Sequence, residues 1–246
     1  MSERLKLWYE LACAWCGMIF AVGYTASLAF VAGFLPPASP NLDKAHLAQY
    51  FVDHHSGVAV GATLASIFGA FLLPWSAQLT IQMARIEGAR PVLSIVQGFG
   101  NAVTSLIITA VPLFWVTMTY RTDASPDSIQ TLNDLSWIFY CMSYMLTTFA
   151  WIAMGLVGLA EKSKPRLFPP WVCFLSIITG LLWIFNDAIP FTKVGPLAWD
   201  GLITYYLLFT LWLGGHFITA ICTILEVRRR MKSLDIDERA EVLLTA

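Results

Sequence analysis

Six blocks of apolar residues, each about 20 to 30 residues long, most constrain how this 246-residue chain can fold. At 1.5 Å per residue, a helix of about 20 residues crosses the roughly 30 Å hydrocarbon layer of a membrane. The composition agrees, because 57% of the residues are hydrophobic and only 13% are charged. Backbone groups in lipid must bond within their own structure, so the blocks predict helices. The blocks are 11–34, 57–83, 92–118, 134–160, 169–190 and 198–225.

The predicted fold is therefore all-α, a polytopic transmembrane bundle of six helices formed by residues 1–230, with residues 231–246 as a short cytoplasmic tail. Basic residues predict its orientation, since cytoplasmic loops of membrane proteins are enriched in Lys and Arg. Twelve lie on the side of the termini and three on the other side, so we expect both termini to be cytoplasmic. We expect the protein to be a multi-pass component of the inner (plasma) membrane. The three are Lys44, Arg121 and Lys193; the twelve are Arg4, Lys6, Arg85, Arg90, Lys162, Lys164, Arg166, Arg228, Arg229, Arg230, Lys232 and Arg239.

Small residues recur at every fourth position in the first two predicted helices. Such a stripe lets helix backbones approach closely where lipid removes the hydrophobic drive for association. We expect helices 1 and 2 to pack tightly, either against each other or against another subunit or a second copy of the chain. The stripes are Cys13, Gly17, Ala21, Thr25, Ala29 and Gly33 in helix 1, and Gly57, Gly61, Ala65 and Gly69 in helix 2.

Helix 3 carries a polar stripe, which should face the interior because polar groups are costly against lipid. Its members are Gln97, Asn101, Ser105 and Thr109. His216 in helix 6 lies ten residues from Glu226, about 15 Å along a helix, so it is predicted near the midplane. Such residues predict a small-molecule pocket, with the alternative of a neutral histidine hydrogen-bonded between helices. The predicted ligand-binding residues are His216, Asn101, Ser105, Tyr144, Thr179, Trp183, Trp212 and Asp187.

The segment YFVDHHSG, residues 50–57, raises the question of a metal site. Asp53, His54 and His55 are consecutive, so on a helix they point about 100° apart and cannot converge on one ion without ligands from other loops. Asp53 with Ser56 is expected instead to cap helix 2, and Asn41 or Ser39 to cap a short interfacial helix before it. We predict no metal ligands, no catalytic residues and no cofactor.

Other site patterns receive structural interpretations. Cys13 and Cys16 have the spacing of a redox pair, but an apolar helix offers neither a lowered thiol pKa nor access to a partner. The arginines at 228–230 indicate contact with lipid headgroups, and nothing predicts nucleic-acid binding.

Five segments carry a resemblance to a family. In this order they are FLPPASP (34–40), LPWSAQLTIQMARIEG (73–88), LNDLSW (132–137), FPPWV (168–172) and GPLAWDGL (195–202). With them the chain resembles an uncharacterised group of bacterial six-helix inner-membrane proteins of similar length, a group with no known activity. The resemblance implies the six-helix fold and gives no catalytic residue to transfer.

Three functions remain open at this point. The first is binding or moving a small lipophilic or aromatic molecule through the midplane polar pocket. The second is an accessory or assembly subunit of a larger membrane complex, joined through the small-residue stripes. The third is a membrane-embedded enzyme on a lipid-soluble substrate, with His216 or a rim aspartate as acid or base; the absence of a histidine-rich box or paired carboxylates in the sequence argues against an enzyme.

Overall fold

The computed structural model describes residues 1–121 and 123–245, with side chains described up to residue 236. All regular elements in this part of the chain are helices, and six spans are long and apolar enough to cross a membrane, which confirms the predicted fold class. The spans are Glu3–Val31, His55–Glu87, Val92–Tyr120, Pro126–Ala160, Pro170–Phe191 and Leu202–Ile236. The side chain of Arg239, counted above among the basic residues, lies outside the described side chains.

Most spans are not single regular α-helices. Span 2 divides at residues 70–71 and span 4 at residues 143–144, span 1 ends and span 6 begins in a π-helical segment, and span 5 ends in a 3₁₀ segment. The α-helices are α1 (Glu3–Ala26), α2 (Lys44–Asp53), α3 (His55–Gly69), α4 (Leu72–Glu87), α5 (Val92–Tyr120), α6 (Pro126–Met142), α7 (Met145–Ala160), α8 (Pro170–Leu182) and α9 (Leu208–Thr245). The π segments are Ser27–Val31 and Leu202–Leu207, and the 3₁₀ segment is Trp183–Phe191. None of these interruptions was predicted.

Spans 1 and 2 pack against each other through their small residues. A Cβ at Gly61 would lie 2.3 Å from the backbone nitrogen of Ala32, and one at Gly17 would lie 2.4 Å from the Trp75 ring. Gly69 instead faces span 3, where a Cβ would lie 3.1 Å from the Ile108 carbonyl oxygen. These members of the stripes are therefore occupied within the chain.

The N-terminal and C-terminal helices lie together at one end of the bundle, called the termini end below. The Glu10 carboxylate accepts hydrogen bonds from Arg85 at 2.6 Å and from Arg230 at 2.6 Å, so one carboxylate joins spans 1, 2 and 6. Arg4 and Asp235 form an ion pair at 3.4 Å. A chain that crosses a membrane an even number of times has both termini on the same side, in agreement with this placement.

The short helix α2 lies at the opposite end, called the α2 end, and its details differ from the prediction. Its N-cap is Asp43, neither Ser39 nor Asn41, and the carboxylate accepts hydrogen bonds from the backbone N–H groups of Ala45 and His46. These bonds to His46, backbone and side chain, lower the pKa of Asp43. The buried side chains are Leu47 and Phe51, whereas Ala45 and Val52 are exposed.

The predicted caps at the starts of later helices are also wrong. Helix α3 has His54 at its N-cap position with no side-chain cap bond, and Asp53 accepts a hydrogen bond from Gln49 at 2.7 Å. Helix α6 begins at Pro126, eight residues before the predicted 134, because Ser125 caps it and proline suits the first turn. Asp134 therefore lies inside a helix, where it caps nothing.

Candidate binding site

Spans 4, 5 and 6 depart from regular α-helix around one cavity at mid-depth. The cavity has a volume of about 50 Å³, which accommodates a hydroxyl group or a few water molecules but no aromatic compound. Non-helical backbone at membrane depth is tolerated where it lines a cavity or is buried in protein, so the breaks belong with this site. The lining residues are Thr104, Ile107, Ile108, Tyr140, Cys141, Ser143, Tyr144, Thr147, Trp183, Asn186, Thr204, Leu208, Phe209 and Trp212.

Two polar atoms of the cavity lining are buried without a hydrogen-bond partner among the described residues. The Asn186 side chain donates from Nδ2 to the carbonyl of Cys141 at 2.9 Å, which leaves its Oδ1 unpartnered. The indole Nε1 of Trp212 is unpartnered as well. Both side chains are more than nine-tenths buried, with exposed fractions of 7% and 5%. Two of the lining residues therefore each carry an unsatisfied polar atom, an acceptor on Asn186 and a donor on Trp212.

Several other polar groups of the lining have hydrogen-bond partners. The hydroxyls of Thr104 and Thr147 lie 2.6 Å apart and join spans 3 and 4. The Tyr144 hydroxyl donates to the Asp187 carboxylate at 2.7 Å, at the side of the cavity nearer the α2 end. This bond ties the break in span 4 to the 3₁₀ segment of span 5.

A larger groove lies beside this cavity, between the second half of span 1 and the first half of span 6. Its volume is about 520 Å³, within the range of small-molecule sites, and its lining is mostly apolar. At its floor, the Tyr24 hydroxyl donates to the Tyr140 hydroxyl at 2.9 Å. The lining residues are Ala21, Val22, Tyr24, Thr25, Ala26, Leu28, Ala29, Phe30, Phe34, Leu35, Trp137, Tyr140, Tyr205, Tyr206, Phe209, Thr210, Leu213, Gly214 and Phe217.

The groove and the cavity share one wall. Tyr140 and Phe209 line both spaces, and their rings stack with centroids 5.2 Å apart. Tyr205 holds the groove's far end by donating a hydrogen bond to the carbonyl of Phe34. The two spaces therefore adjoin at these two rings.

His216 is enclosed by aromatic rings behind this site. The rings of Phe20, Trp75, Trp151 and Trp212 lie with centroids 5.0 to 5.2 Å from the imidazole. Its Nδ1 lies 2.8 Å from the carbonyl oxygen of Trp212, and its Nε2 has no partner among the described residues. The imidazole contacts the site only through the Trp212 ring.

The predicted ligand-binding residues thus occupy several places. Three of them line the cavity: Tyr144, Trp183 and Trp212. Asp187 is one hydrogen bond away from it, and His216 is one ring away. Asn101, Ser105 and Thr179 are buried, as the polar stripe of helix 3 predicts for the first two, but they line neither space. Ser105 donates to the carbonyl of Gly69 in span 2 at 3.3 Å.

Sequence reasoning missed several polar residues of the site. Among them are Tyr24, Thr104, Tyr140, Thr147 and Asn186. Thr104 sits one position before Ser105, so its place beside the predicted polar stripe was available as a sign. The tyrosines resemble any other membrane aromatic in sequence, and only packing distinguishes them.

In the described part of the chain, no three His, Cys, Asp or Glu side chains are placed to hold a metal ion. The His55 Nε2 atom lies 2.7 Å from the carbonyl oxygen of Thr119, and this contact ties span 2 to the end of span 3. The His54 Nδ1 atom lies 2.9 Å from the carbonyl oxygen of Tyr50. These contacts give both histidines structural partners.

Comparison of the chain with protein-family models, curated proteins and solved structures finds no match.

Proposed function

We propose that this integral membrane protein binds a lipophilic or aromatic small molecule, which enters laterally from the bilayer into the groove between spans 1 and 6. The groove carries the proposal, because its volume of about 520 Å³ suits a ligand of that kind and its walls are mostly apolar. The midplane cavity of about 50 Å³ is too small for the body of such a molecule. The apolar body then occupies the groove, and only a polar group of the ligand reaches the cavity.

The tyrosine pair supports a specific ligand over an ordinary lipid tail. Two hydroxyls carry two protons, and one proton is used in the bond from Tyr24 to Tyr140. The second proton, on Tyr140, has no acceptor among the described residues. A buried donor favours a ligand that brings an acceptor, which an acyl chain does not.

The proposal includes the predicted orientation in a plasma membrane. With both termini cytoplasmic, the groove opens to the outer half of the bilayer, since it is lined by the half of span 1 nearer the α2 end. The accessory-subunit hypothesis draws less support, because Gly17 and Gly61 of the small-residue stripes pack within the chain. The enzyme hypothesis also draws less, since His216 reaches the site only through a ring.

Photoaffinity labelling in membranes tests the proposal. A lipophilic probe with an alkyl diazirine should label residues of spans 1 and 6, as located by mass spectrometry of the peptides. Gly214 lines the groove, and a Cβ there would meet no atom within 4 Å, so Gly214→Leu should fill the groove without disturbing the fold. We expect this variant to lose most of the labelling.

The matched control is Ala12→Leu, which adds the same bulk at an exposed position of span 1 away from the groove. It should label as the wild type does. Equal labelling of all three proteins, or label spread evenly over the exposed faces of all six spans, would show that the groove holds only bulk lipid.

A further inference from the structure

The charge of the site limits the chemical class of its ligand, an inference that rests on the proposed function. No Asp, Glu, Lys, Arg or His is among the described residues that line the groove or the cavity. A charged group buried without a partner pays a large desolvation penalty. The nearest charge along the hydrogen bonds is the carboxylate of Asp187, which already accepts from Tyr144 and lines neither space. A carboxylate ligand would meet no cation there, and an ammonium ligand would meet no anion in the lining.

The unpartnered atoms define what a neutral head group must do. To satisfy both atoms it must donate a hydrogen bond to Asn186 Oδ1 and accept one from Trp212 Nε1, the unpartnered buried atoms of two residues that line the cavity. A hydroxyl oxygen does both, because it carries one O–H donor and two acceptor lone pairs. An ether or a ketone only accepts, so it would leave the Asn186 oxygen unpartnered.

The sizes of the two spaces agree with this chemistry. A hydroxyl fits the cavity of about 50 Å³, and a hydrocarbon or ring body fits the groove of about 520 Å³. The shared wall of Tyr140 and Phe209 places the two parts of the ligand next to each other. We infer that the ligand is a neutral lipophilic alcohol or phenol whose hydroxyl binds between Asn186 and Trp212.

Four photoprobes with the same alkyl-diazirine tail test the inference on the full chain in phosphatidylcholine nanodiscs. The tails end in a hydroxyl, a methyl ether, a carboxylate or a primary ammonium. One net hydrogen bond corresponds to about a tenfold change in affinity. The hydroxyl probe should therefore half-label spans 1 and 6 at about a tenfold lower concentration than the ether, and the two charged probes should label less than either.

Trp212→Phe removes the donor and keeps an aromatic ring. It should raise the half-labelling concentration about tenfold for both the hydroxyl and the ether, since both accept from Nε1. Trp199→Phe is the control, because Trp199 is buried and its Nε1 also donates, to the carbonyl of Ala38 at 2.9 Å, but it lines neither space. Trp199→Phe should leave the half-labelling concentrations of the hydroxyl and ether probes at their wild-type values.

The outcomes separate this inference from the proposed function. Equal labelling by hydroxyl and ether probes, stronger labelling by a charged probe, or no response to Trp212→Phe would overturn the hydroxyl assignment and leave binding in the groove intact. Failure of every probe to label spans 1 and 6 would overturn both.

Discussion

Two adjacent glycines in α9 provide the sharpest test of the packing around the site. A Cβ at Gly215 would lie 2.2 Å from the Trp151 ring, whereas one at Gly214 would meet no atom within 4 Å. Trp151 cannot easily move away, because its ring is buried against His216 at 5.0 Å and Trp183 at 5.8 Å. The same change to alanine at the two positions should therefore have opposite effects.

The magnitude follows from two contributions. Replacing glycine by alanine within a helix stabilises it by about 1 kcal/mol at either position, since the gain in helix propensity is common to both. Overpacking at Gly215 costs about 1–3 kcal/mol, because the Trp151 ring must leave its preferred position. The packing cost is then the difference between the two variants, and for a chain of this size it corresponds to a gap of about 2–12 °C in Tm.

Thermal unfolding of both variants in one detergent, followed by the far-ultraviolet circular dichroism of the helices, measures the gap. Gly214→Ala should melt at or above the wild-type temperature, and Gly215→Ala below that of Gly214→Ala. If Gly215→Ala melts as high as Gly214→Ala, Trp151 does not pack against α9 as described, and the ring enclosure of His216 is wrong with it.

Three further predictions concern other parts of the bundle. Gly61→Ala should lower the Tm by more than any glycine substitution facing a side chain, because the new Cβ meets the backbone of Ala32 at 2.3 Å, and the same melting experiment shows it. Glu10→Gln should destabilise the protein by about 1–3 kcal/mol, since Arg85 and Arg230 lose their shared anion and one of the two acceptor oxygens becomes an NH₂ group that cannot accept. Glu3→Gln, whose lysine partner is exposed, should change the midpoint of a denaturant titration little. The pKa of Asp43 is lowered in the folded protein, so its cap fully stabilises α2 at pH values above the ordinary aspartate pKa and is lost as the pH falls through the lower folded value. Hydrogen exchange of the α2 amides should accelerate, relative to the intrinsic rate, only in that acidic window. Asp43→Ala should abolish this transition.

The number and placement of the spans could be predicted because membrane crossing depends on apolar length alone. The ends of the spans depend on capping residues, which a count of apolar residues ignores. Ser125 and Pro126 start α6 eight residues before the predicted start of the fourth apolar block. Asp43 is the N-cap of α2, where Ser39 or Asn41 was predicted. The breaks inside spans escaped prediction because neither Ala70-Phe71 nor Ser143-Tyr144 contains the glycine, proline or charge that usually marks a helix end.

The sequence predicted that polar residues lie inside the bundle, but not the direction in which they face. Counting residues along helix 6 predicted His216 near the midplane, and His216, Asn101 and Thr179 are all buried. Counting does not give the direction in which a side chain points relative to its neighbours. Tyr144 and Trp212 turned out to face the cavity, whereas Asn101 and Thr179 do not. Direction depends on which helices are adjacent, which follows from packing between distant segments of the chain.

The irregular backbone of spans 4, 5 and 6 and the polar side chains of the site have one physical cause. A helix end in lipid leaves carbonyls without partners, and these must be satisfied by side chains. Asn186 donates to the carbonyl of Cys141 in the last turn of α6, and Thr204 donates to the carbonyl of Ala198 before α9. The Asn186 amide donates from its nitrogen in this bond, so its oxygen is left to accept a hydrogen bond from another group. The break in span 4 therefore explains both why a polar residue is needed at position 186 and why the cavity is left with an acceptor. A ligand hydroxyl would complete a hydrogen-bond set that the break itself began, which is why binding is expected beside the break in span 4.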